Sequence, residues 1–400
     1  MGSGRTEMVP LLMPAVSLAV GIIAAPMIPH VGIIVSVFMA CVLLSWLLHR
    51  WELMQSIGVL LCFTCLGMLV GQNVERDLPH HRQVSLRTEN QQMSGIERVR
   101  QRCLEYRQEL LDRYRTPSSE DDEYAVVAAM TLGDKSALTK ELRETYSLTG
   151  ASHVLALSGL HLGIIYLLLF RLTFGRRRFW LSQVVIILSI WAFAFLTGLS
   201  TSVIRSATMI SLYALFSVAE RHRSPVNILC FTAIVMLLLN PGSLFDIGFQ
   251  LSFSAVFAIL LLMPLFESFF PEHYFVGRPL QRYIYNMVGL SVAAQIGVAP
   301  LIAYHFGRFS TYFLLTNFVV IPAATIILYG ALFVVLIPSL APALLGLVGI
   351  LNKALGWMTQ MPCASIGGLH PSIIQICLLY VVFFCAYFSL RTLQRVPPIT

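Results

Sequence analysis

The stretch SHVLALSGLHLGIIYLLLF, Ser152 to Phe170, sets two serines, two histidines and two glycines at the front of a long apolar run. Apolar runs recur along most of the 400-residue chain, which is 57% hydrophobic, only 12% charged and has a mean hydropathy of +0.76. A soluble protein would carry about twice that share of charged residues. The runs are continuously apolar rather than alternating, which favours spanning helices over the strands of a barrel. We therefore predict an all-α polytopic membrane protein.

The apolar runs predict about twelve transmembrane or re-entrant helices. A spanning helix usually needs about 20 residues. The sixth and seventh runs are short, so each is either a span or a broken, re-entrant helix. The predicted helices lie near residues 9–29, 31–49, 54–72, 151–172, 179–198, 203–219, 225–240, 248–270, 284–304, 312–337, 342–361 and 372–390.

These runs divide the chain into four predicted regions. Residues 1–72 form a three-span region that begins with an uncleaved first span, and residues 73–149 form a polar, mostly helical insert. Residues 150–392 form the main transmembrane domain, and residues 393–400 form a tail. Within the insert, one apolar stripe at helical spacing predicts an amphipathic helix, for which the membrane surface and a partner protein both remain candidates: Ile96, Val99, Cys103, Tyr106, Leu110 and Tyr114.

The basic residues predict the orientation of the chain. Cytoplasmic loops of membrane proteins carry an excess of Lys and Arg. With the N-terminus in the cytoplasm, twelve of the 27 basic residues fall in inner segments and another twelve in the insert, which is placed outside. The net charge of +7 is therefore a topological signal and not evidence of a nucleic-acid-binding domain. The twelve inner residues are Arg5, Arg50, Arg171, Arg176, Arg177, Arg178, Arg221, Arg223, Arg278, Arg282, Arg391 and Arg395.

Polar side chains at the start of the fourth run form the first candidate site. On a helix, Ser158 and His161 would share a face, with His153 upstream. Gly159 and Gly163 form a GxxxG pattern that lets a second helix approach closely. The residues either satisfy one another in a packed contact or line a polar cavity, as ionisable groups within membranes often do. His153 and His161 are eight residues apart with no nearby carboxylate, so we expect no metal site.

A second cluster lies in TGLSTSVIRSA, Thr197 to Ala207. Arg205 falls near the outer end of a predicted span, with Ser202 on the same side of the helix. Either its side chain extends to the membrane surface, or its guanidinium faces a water-filled passage where it can meet phosphate.

A third cluster lies in NPGSLFDIGFQLSFSAV, Asn240 to Val256. Asp246 and Gln250 are four residues apart and share a helix face, but an aspartate in this position can also simply cap the helix. Phe249 and Phe253 either stack on bases or pack in the core. Asn317 interrupts a later apolar run, and Pro300 and Pro322 are expected to break or kink their helices.

The sequence resembles the ComEC family of competence DNA channels in four motifs and in the stretch that precedes the first of them. LTGASHVLALSGLHLG closely resembles the family's signature, and AMTLGDKSALTKELRETYSLTG resembles the stretch before it. TGLSTSVIRSA, NPGSLFDIGFQLSFSAV and APLIAYHFGRFSTYFLLTNFVVIPA resemble later family motifs in the same order. The resemblance covers residues from about 124 to 365 and implies a bacterial inner-membrane protein. The basic residues place the N-terminus in the cytoplasm, and twelve crossings return the C-terminus to the same side.

The resemblance also implies a function and a set of partners. These are single-stranded DNA, the lipid bilayer, a separate cytoplasmic ATPase and an outer DNA receptor; the chain contains no GxxxxGK[ST] motif of its own. Many family members carry an OB-fold before the signature and a metallo-β-lactamase-like domain after the membrane domain. Here we expect the first to be reduced or absent and the second, with its HxHxDH motif, to be lacking, so a separate nuclease would degrade the other strand.

The predicted function is thus a channel for single-stranded DNA, with no cofactor and no enzymatic activity. A small-solute transporter would have equally broken helices and polar groups at the membrane midplane. An intramembrane serine hydrolase based on Ser158 is the third alternative, but such a nucleophile needs an aligned base and an oxyanion hole.

Overall fold

The structure, a computed structural model, describes residues 10–28, 30–47, 50–84, 95–115, 121–173, 179–218, 224–270 and 272–395. Within these ranges the chain forms fifteen α-helices and one two-stranded antiparallel sheet. The elements are α1 Leu12–Ala24, α2 Val31–Leu47, α3 Glu52–Val84, α4 Gly95–Asp112, α5 Asp121–Leu132, α6 Lys140–Leu148, α7 Gly159–Leu172, α8 Phe179–Leu196, α9 Thr201–Val218, α10 Pro225–Leu239, α11 Ile247–Phe269, α12 Pro279–Phe306, β1 Arg308–Ser310, α13 Phe313–Leu336, α14 Ala341–Thr359, β2 Ser365–Gly367 and α15 Ile373–Arg395.

The predicted fold class is confirmed: the chain is an all-α polytopic membrane protein. Each of the twelve predicted apolar runs contains a helix. Seven helices in the described ranges are long and apolar enough to cross a membrane, and five more are apolar but shorter. Between 11% and 39% of the residues in the seven spanning windows are buried within the protein. Apolar surface left exposed on this scale is typical of helices that face lipid.

The described chain divides into two compact units. The first comprises Met1–Ser94 and Thr208–Phe253. Here α1 crosses α3 where Gly21 and Gly67 lie against the backbone of the facing helix, so that a Cβ at either position would clash. This is the close approach that small residues permit between membrane helices. The core of the unit is a cluster of buried apolar side chains: Leu18, Ile22, Ile234, Leu237 and Phe249.

The second unit comprises Gly95–Ala207 and Ser254–Thr400, and α5 lies at its centre. The side chains from Ala125 to Met130 are all at most 1% exposed, and α5 packs against α13 and α14. Glu123 of α5 lies against Gly349 of α14, in space that a Cβ would occupy. A helix of 12 residues is only about 18 Å long, too short to cross a bilayer alone. The described residues of the insert are mostly helical, and the side chains of α5 belong to the core of the second unit.

Hydrogen bonds also join α4 and α6 to the apolar helices. The Tyr114 hydroxyl, just after α4, donates to the carbonyl of Ala331 at 3.2 Å, and Tyr146 of α6 donates to Oδ1 of Asn352 at 2.8 Å. Burial raises the pKa of the Tyr114 phenol to about 12, so it remains a donor at neutral pH. Of the stripe residues whose side chains the structure describes, Leu110 and Tyr114 at the C-terminal end are buried, whereas Val99 and Tyr106 are exposed.

Several local predictions need correction. The run at 151–172 is not helical throughout, because residues 151–158 form turns and α7 begins at Gly159. Pro300 and Pro322 do not break their helices, since α12 and α13 run through them. The outer placement of residues 73–149 stays a prediction. Some residues used for topology lie outside the described ranges: Arg5, Arg176, Arg177, Arg178, Arg221, Arg223 and the tail from residue 396.

Candidate functional site

The start of α7 is built by the turns that precede it. Gly150 adopts a left-handed conformation with φ of 82°, and the amide of Ala151 donates to the carbonyl of Tyr146 at 2.7 Å. The chain then turns until Ser158, which is extended at φ −127° and ψ 174° and stands as the N-cap of α7. We expected Ser158 and His161 to share a helix face; the structure brings the two side chains together through a helix cap instead. Ser158 precedes the helix, and His161 is in its first turn.

Ser158 and His161 form a helix cap in which the histidine is the acceptor. The backbone N–H of Ser158 donates to Nδ1 of His161 at 3.3 Å, and Oγ of Ser158 lies 3.1 Å from the same nitrogen. An amide N–H can only donate, so Nδ1 must carry a lone pair. In a neutral imidazole the proton is then on Nε2. The cap thus determines the tautomer of His161.

This tautomer leaves His161 with a buried hydrogen-bond donor. The side chain is 0% exposed, and Nε2 has no hydrogen-bond partner among the described residues. A buried donor without an acceptor costs about 1–3 kcal/mol. The N-terminus of a helix also favours negative charge in front of it. The position of His161 is therefore suited to an acceptor such as water or an anionic oxygen.

The first turns of α9 lie against the start of α7. A Cβ placed on Gly159 would be 3.3 Å from Oγ of Ser206, which itself donates to the carbonyl of Ser202 at 3.0 Å. Arg205, next to Ser206, is only 4% exposed. The first alternative for Arg205, in which its side chain extends to the membrane surface, is therefore not what the structure shows. Ser158, His161, Ser202 and Arg205 come from two adjoining helix starts.

The GxxxG pattern is only half used. Gly159 has the Ser206 hydroxyl as its close neighbour, whereas a Cβ at Gly163 would meet no atom of the described residues within 4 Å. Among the described residues no neighbouring helix packs closely against Gly163, so the close helix packing predicted for this glycine is not observed. The approach at Gly159 is by a side chain and not by a helix backbone.

His153 has the opposite arrangement to His161. It is exposed, and its Nδ1 lies 3.0 Å from the carbonyl oxygen of Gly150. A carbonyl oxygen can only accept, so Nδ1 of His153 carries the proton. Asn317 lies half-buried in the first turns of α13, next to the fully buried Thr316. Neither residue is tied by a hydrogen bond to the start of α7.

Asp246 and Gln250 belong to the first unit. Oδ1 of Asp246 accepts from the amide of Gly248 at 3.2 Å, as the capping alternative predicted, and Gln250 donates from Nε2 to the carbonyl of Leu244 at 3.0 Å. Asp246 is exposed. Phe249 is buried and stacks on Phe253 with ring centroids 4.2 Å apart, so these rings pack in the core.

Gln183 is a polar residue that the sequence analysis missed. It lies within α8, is 1% exposed, and neither amide atom has a hydrogen-bond partner in the part of the chain that the structure describes. The neighbouring Ser182 hydroxyl is equally buried and unpartnered within that part. The only sequence signal was a single SQ pair inside an apolar run. Among the described residues, no group of three His, Cys, Asp or Glu side chains is placed to hold a metal.

Comparison with known proteins agrees with these motifs. The family model described as "Competence protein" matches residues 130–393. ComE operon protein 3 of Bacillus subtilis (strain 168) is 32% identical over 225 residues, which is 55% of this chain and 27% of that protein. Recombination protein 2 of Haemophilus influenzae (strain ATCC 51907 / DSM 11121 / KW20 / Rd) is 24% identical over 216 residues, 51% of this chain and 27% of that protein.

An uncharacterised protein of Aquifex aeolicus (strain VF5) is 30% identical over 195 residues, 48% of this chain and 43% of that protein. The chain thus spans between about a quarter and two-fifths of the length of these relatives. No solved structure matches. Because the family model covers well over half of the sequence, this chain belongs to the competence protein family.

Proposed function

We propose that this chain takes part in the uptake of DNA by competent bacteria and forms a passage through which single-stranded DNA crosses the cytoplasmic membrane. The observation that carries the proposal is the buried Nε2–H of His161, held at the start of α7 without an acceptor among the described residues. Membership of the competence protein family and the similarity to ComE operon protein 3 support the same role.

The chemistry of the site suits a ligand that must move. A phosphodiester chain cannot enter hydrocarbon without a hydrated path, and conduction requires contacts weak enough to release the strand. A neutral N–H donor and serine hydroxyls meet phosphate oxygens without holding them strongly. Arg205 lies beside Ser206 in the adjoining helix start and supplies the positive charge that attracts the strand. His153, Asp246, Gln250 and Asn317 remain proposed parts of the DNA path.

The passage needs partners that family membership implies. We propose a cytoplasmic ATPase to supply work, an outer receptor to deliver DNA and a separate nuclease to degrade the complementary strand. The surrounding bilayer is the inner membrane, with both termini in the cytoplasm. No cofactor is proposed.

Two substitutions of one residue test the proposal. In His161→Asn the amide oxygen stands close to the Nδ1 position and keeps the cap, but the Nε2 donor is lost. In His161→Gln the amide N–H reaches close to the Nε2 position and keeps the donor. We expect His161→Asn to lower the uptake of labelled DNA at least about tenfold, since one hydrogen bond to a charged group is lost, and His161→Gln to retain most of it.

The assay is internalisation of labelled DNA in a strain that lacks the chromosomal gene and expresses each variant at equal level. Normal internalisation without the gene would reject the proposal. Equal activity of the two variants would remove His161 from the path.

One distance favours a second candidate, an intramembrane serine hydrolase. Oγ of Ser158 lies 3.1 Å from Nδ1 of His161, which is within reach of a nucleophile and its base. In a serine triad, however, a carboxylate orients the other ring nitrogen, and here Nε2 has no partner among the described residues. Nδ1 is also already occupied by the backbone N–H of Ser158. The cap explains the distance without any chemistry.

A further inference from the structure

The second unit contains an open cavity that is separate from the His161 cap. Its volume is about 610 Å³, within the range of small-molecule sites. It is formed by the loop before α6, α6 itself, the turn that leads to α7, the end of α12 and β1. The lining residues that matter here are Lys135, Arg143, Glu144, Ser152, Phe306 and Arg308.

Hydrogen bonds hold the α6 side of the cavity. Nη2 of Arg143 donates to the backbone carbonyl of Lys135 at 2.8 Å, which ties the Arg143 guanidinium to the loop that carries Lys135. The hydroxyl of Thr139 caps α6 by accepting from the amide of Leu142 at 3.2 Å. Asp134 accepts from the amide of Ser136 at 3.0 Å and closes the loop in front of the helix. The loop backbone thus holds the Arg143 guanidinium, and Lys135 lies in the same loop.

The opposite wall is held by the small sheet. Gly307 ends α12 in a left-handed conformation with φ of 65°, and its carbonyl accepts from the amide of Leu369 at 2.9 Å. Arg308 then pairs with Gly367 across the strands. On the same strand, Ser310 lies so close to Gly150 that a Cβ there would be 3.0 Å from the Cβ of Ser310. This contact joins β1 to the turn that carries Ser152.

The cavity lining is positively charged and carries an exposed aromatic ring. Among the lining residues that the structure describes, three are cations and one, Glu144, is a carboxylate. The Phe306 residue, at the end of α12, is 54% exposed. Cations bind phosphate, and an exposed ring offers a surface on which any base can stack. The cations and the exposed ring together fit a nucleotide better than they fit an anion without a base.

We propose that this cavity binds one nucleotide of single-stranded DNA, with Lys135, Arg143 and Arg308 around the phosphate and Phe306 beneath the base. The inference rests on the proposed function and adds to it a place where the strand is received. Ser152 of the lining and Ser158 of the cap belong to the same turn segment, so a strand held here would lie on the approach to α7. The exposed ring argues against a lipid headgroup, which has no base to stack.

Binding of a fluorescent oligothymidylate to the purified full-length protein in lipid discs tests the inference. Each phosphate contact on a single strand contributes about 0.7 to the slope of log affinity against log salt concentration. We expect Arg308→Gln and Arg143→Gln each to weaken binding several-fold and to lower that slope by about 0.7. Lys140→Gln removes one charge from the same helix outside the lining, and it should leave affinity within about twofold.

Phe306→Leu tests the stacking separately. It should weaken binding of the oligothymidylate about tenfold and leave binding of an abasic phosphodiester oligomer unchanged. All variants are first compared by thermal unfolding, and Arg308→Gln is decisive if Arg143→Gln is destabilised, because the Arg308 strand is held by backbone pairing.

Three outcomes would overturn the inference. The first is unchanged oligonucleotide affinity in Arg308→Gln. The second is a loss of affinity in Lys140→Gln equal to that in Arg143→Gln. The third is that the variants lose binding to phosphatidylglycerol in the discs but still bind the oligonucleotide normally. This assay does not depend on uptake. If DNA internalisation requires the gene but the cavity variants bind oligonucleotide normally, the cavity proposal alone is rejected. If binding depends on the cavity charges but internalisation does not require the gene, the channel proposal alone is rejected.

Discussion

Two helices of this protein, α7 and α11, begin with a polar side chain that hydrogen-bonds the backbone of the helix start, but they place that side chain in different surroundings. At α7 the acceptor is Nδ1 of His161, whose side chain is completely buried. At α11 the acceptor is Oδ1 of Asp246, which is exposed. Each helix belongs, at this end, to a different compact unit.

The two caps differ in whether the remaining polar atom of the side chain has a hydrogen-bond partner available. The second oxygen of an exposed carboxylate can bond to water, so a cap like that of Asp246 is complete on its own. The Nε2–H of His161 has no such outlet, because it is buried and finds no acceptor among the described residues. The same local device therefore leaves no unsatisfied hydrogen-bond donor at Asp246 but leaves one at His161. A buried donor of this kind marks a candidate for ligand contact.

The largest effect that would sharpen this comparison is expected from Gly159→Val. The added Cβ would lie 3.3 Å from the Ser206 hydroxyl, and the two further methyl groups would push α9 away from the start of α7. Overpacking of this kind costs about 1–3 kcal/mol, and we expect DNA uptake to fall about tenfold or more.

Gly163→Val is its matched control, because a Cβ there meets no described atom within 4 Å. It should leave uptake of labelled DNA within about twofold, since valine is also a somewhat better helix former than glycine. Equal losses in the two variants would show that the neighbourhood of Ser206 has no special role.

A smaller effect is expected from Ser158→Ala. The backbone N–H of Ser158 still donates to His161, so only the contact of the hydroxyl with Nδ1 is lost. We expect a loss of about 1 kcal/mol in the free energy of unfolding and a reduction in uptake of only a few-fold. A hydrolase would lose its nucleophile, so complete loss of function with an intact fold would contradict the account and favour that enzyme.

The smallest effect is expected from Asp246→Ala. An exposed cap contributes about 0.5–2 kcal/mol to stability, and Asp246→Asn should restore most of it because the amide oxygen can accept the same hydrogen bond. If Asp246 is only a cap, uptake follows stability in both variants, as measured by thermal unfolding in lipid discs. If Asp246→Asn lost uptake at normal stability, the start of α11 would also have a direct role in uptake, and the contrast with the start of α7 would disappear.

The apolar helices could be predicted from the sequence because their signal is local and continuous. The start of α7 could not, since Val154 to Leu157 are as apolar as the helix that follows. The left-handed turn at Gly150 and the cap at Ser158 keep these residues out of the helix. The burial of α5 was equally hidden, because its partners on α13 and α14 lie about 200 residues away in the chain.

The candidate site was predictable in its composition but not in its geometry. Motif resemblance identified His161, Arg205 and Gly159, and the structure brings the starts of their two helices together. The tautomer of His161 depends on a single hydrogen bond from a backbone N–H, which no sequence pattern specifies. Gln183 was missed because one amide in an apolar run gives no sign of whether a neighbouring group will satisfy it.

The central claim, that the buried Nε2–H of His161 meets phosphate oxygens of DNA, is tested most directly by ¹⁵N NMR of histidine-labelled protein in lipid discs, with His161→Asn used to assign the signals. The account predicts an unprotonated Nδ1 and a protonated Nε2 whose resonance shifts when an oligothymidylate is added. A methylphosphonate oligomer, which has no backbone charge, should cause a much smaller shift. A proton on Nδ1, or an Nε2 resonance that responds to neither oligomer, would contradict the account.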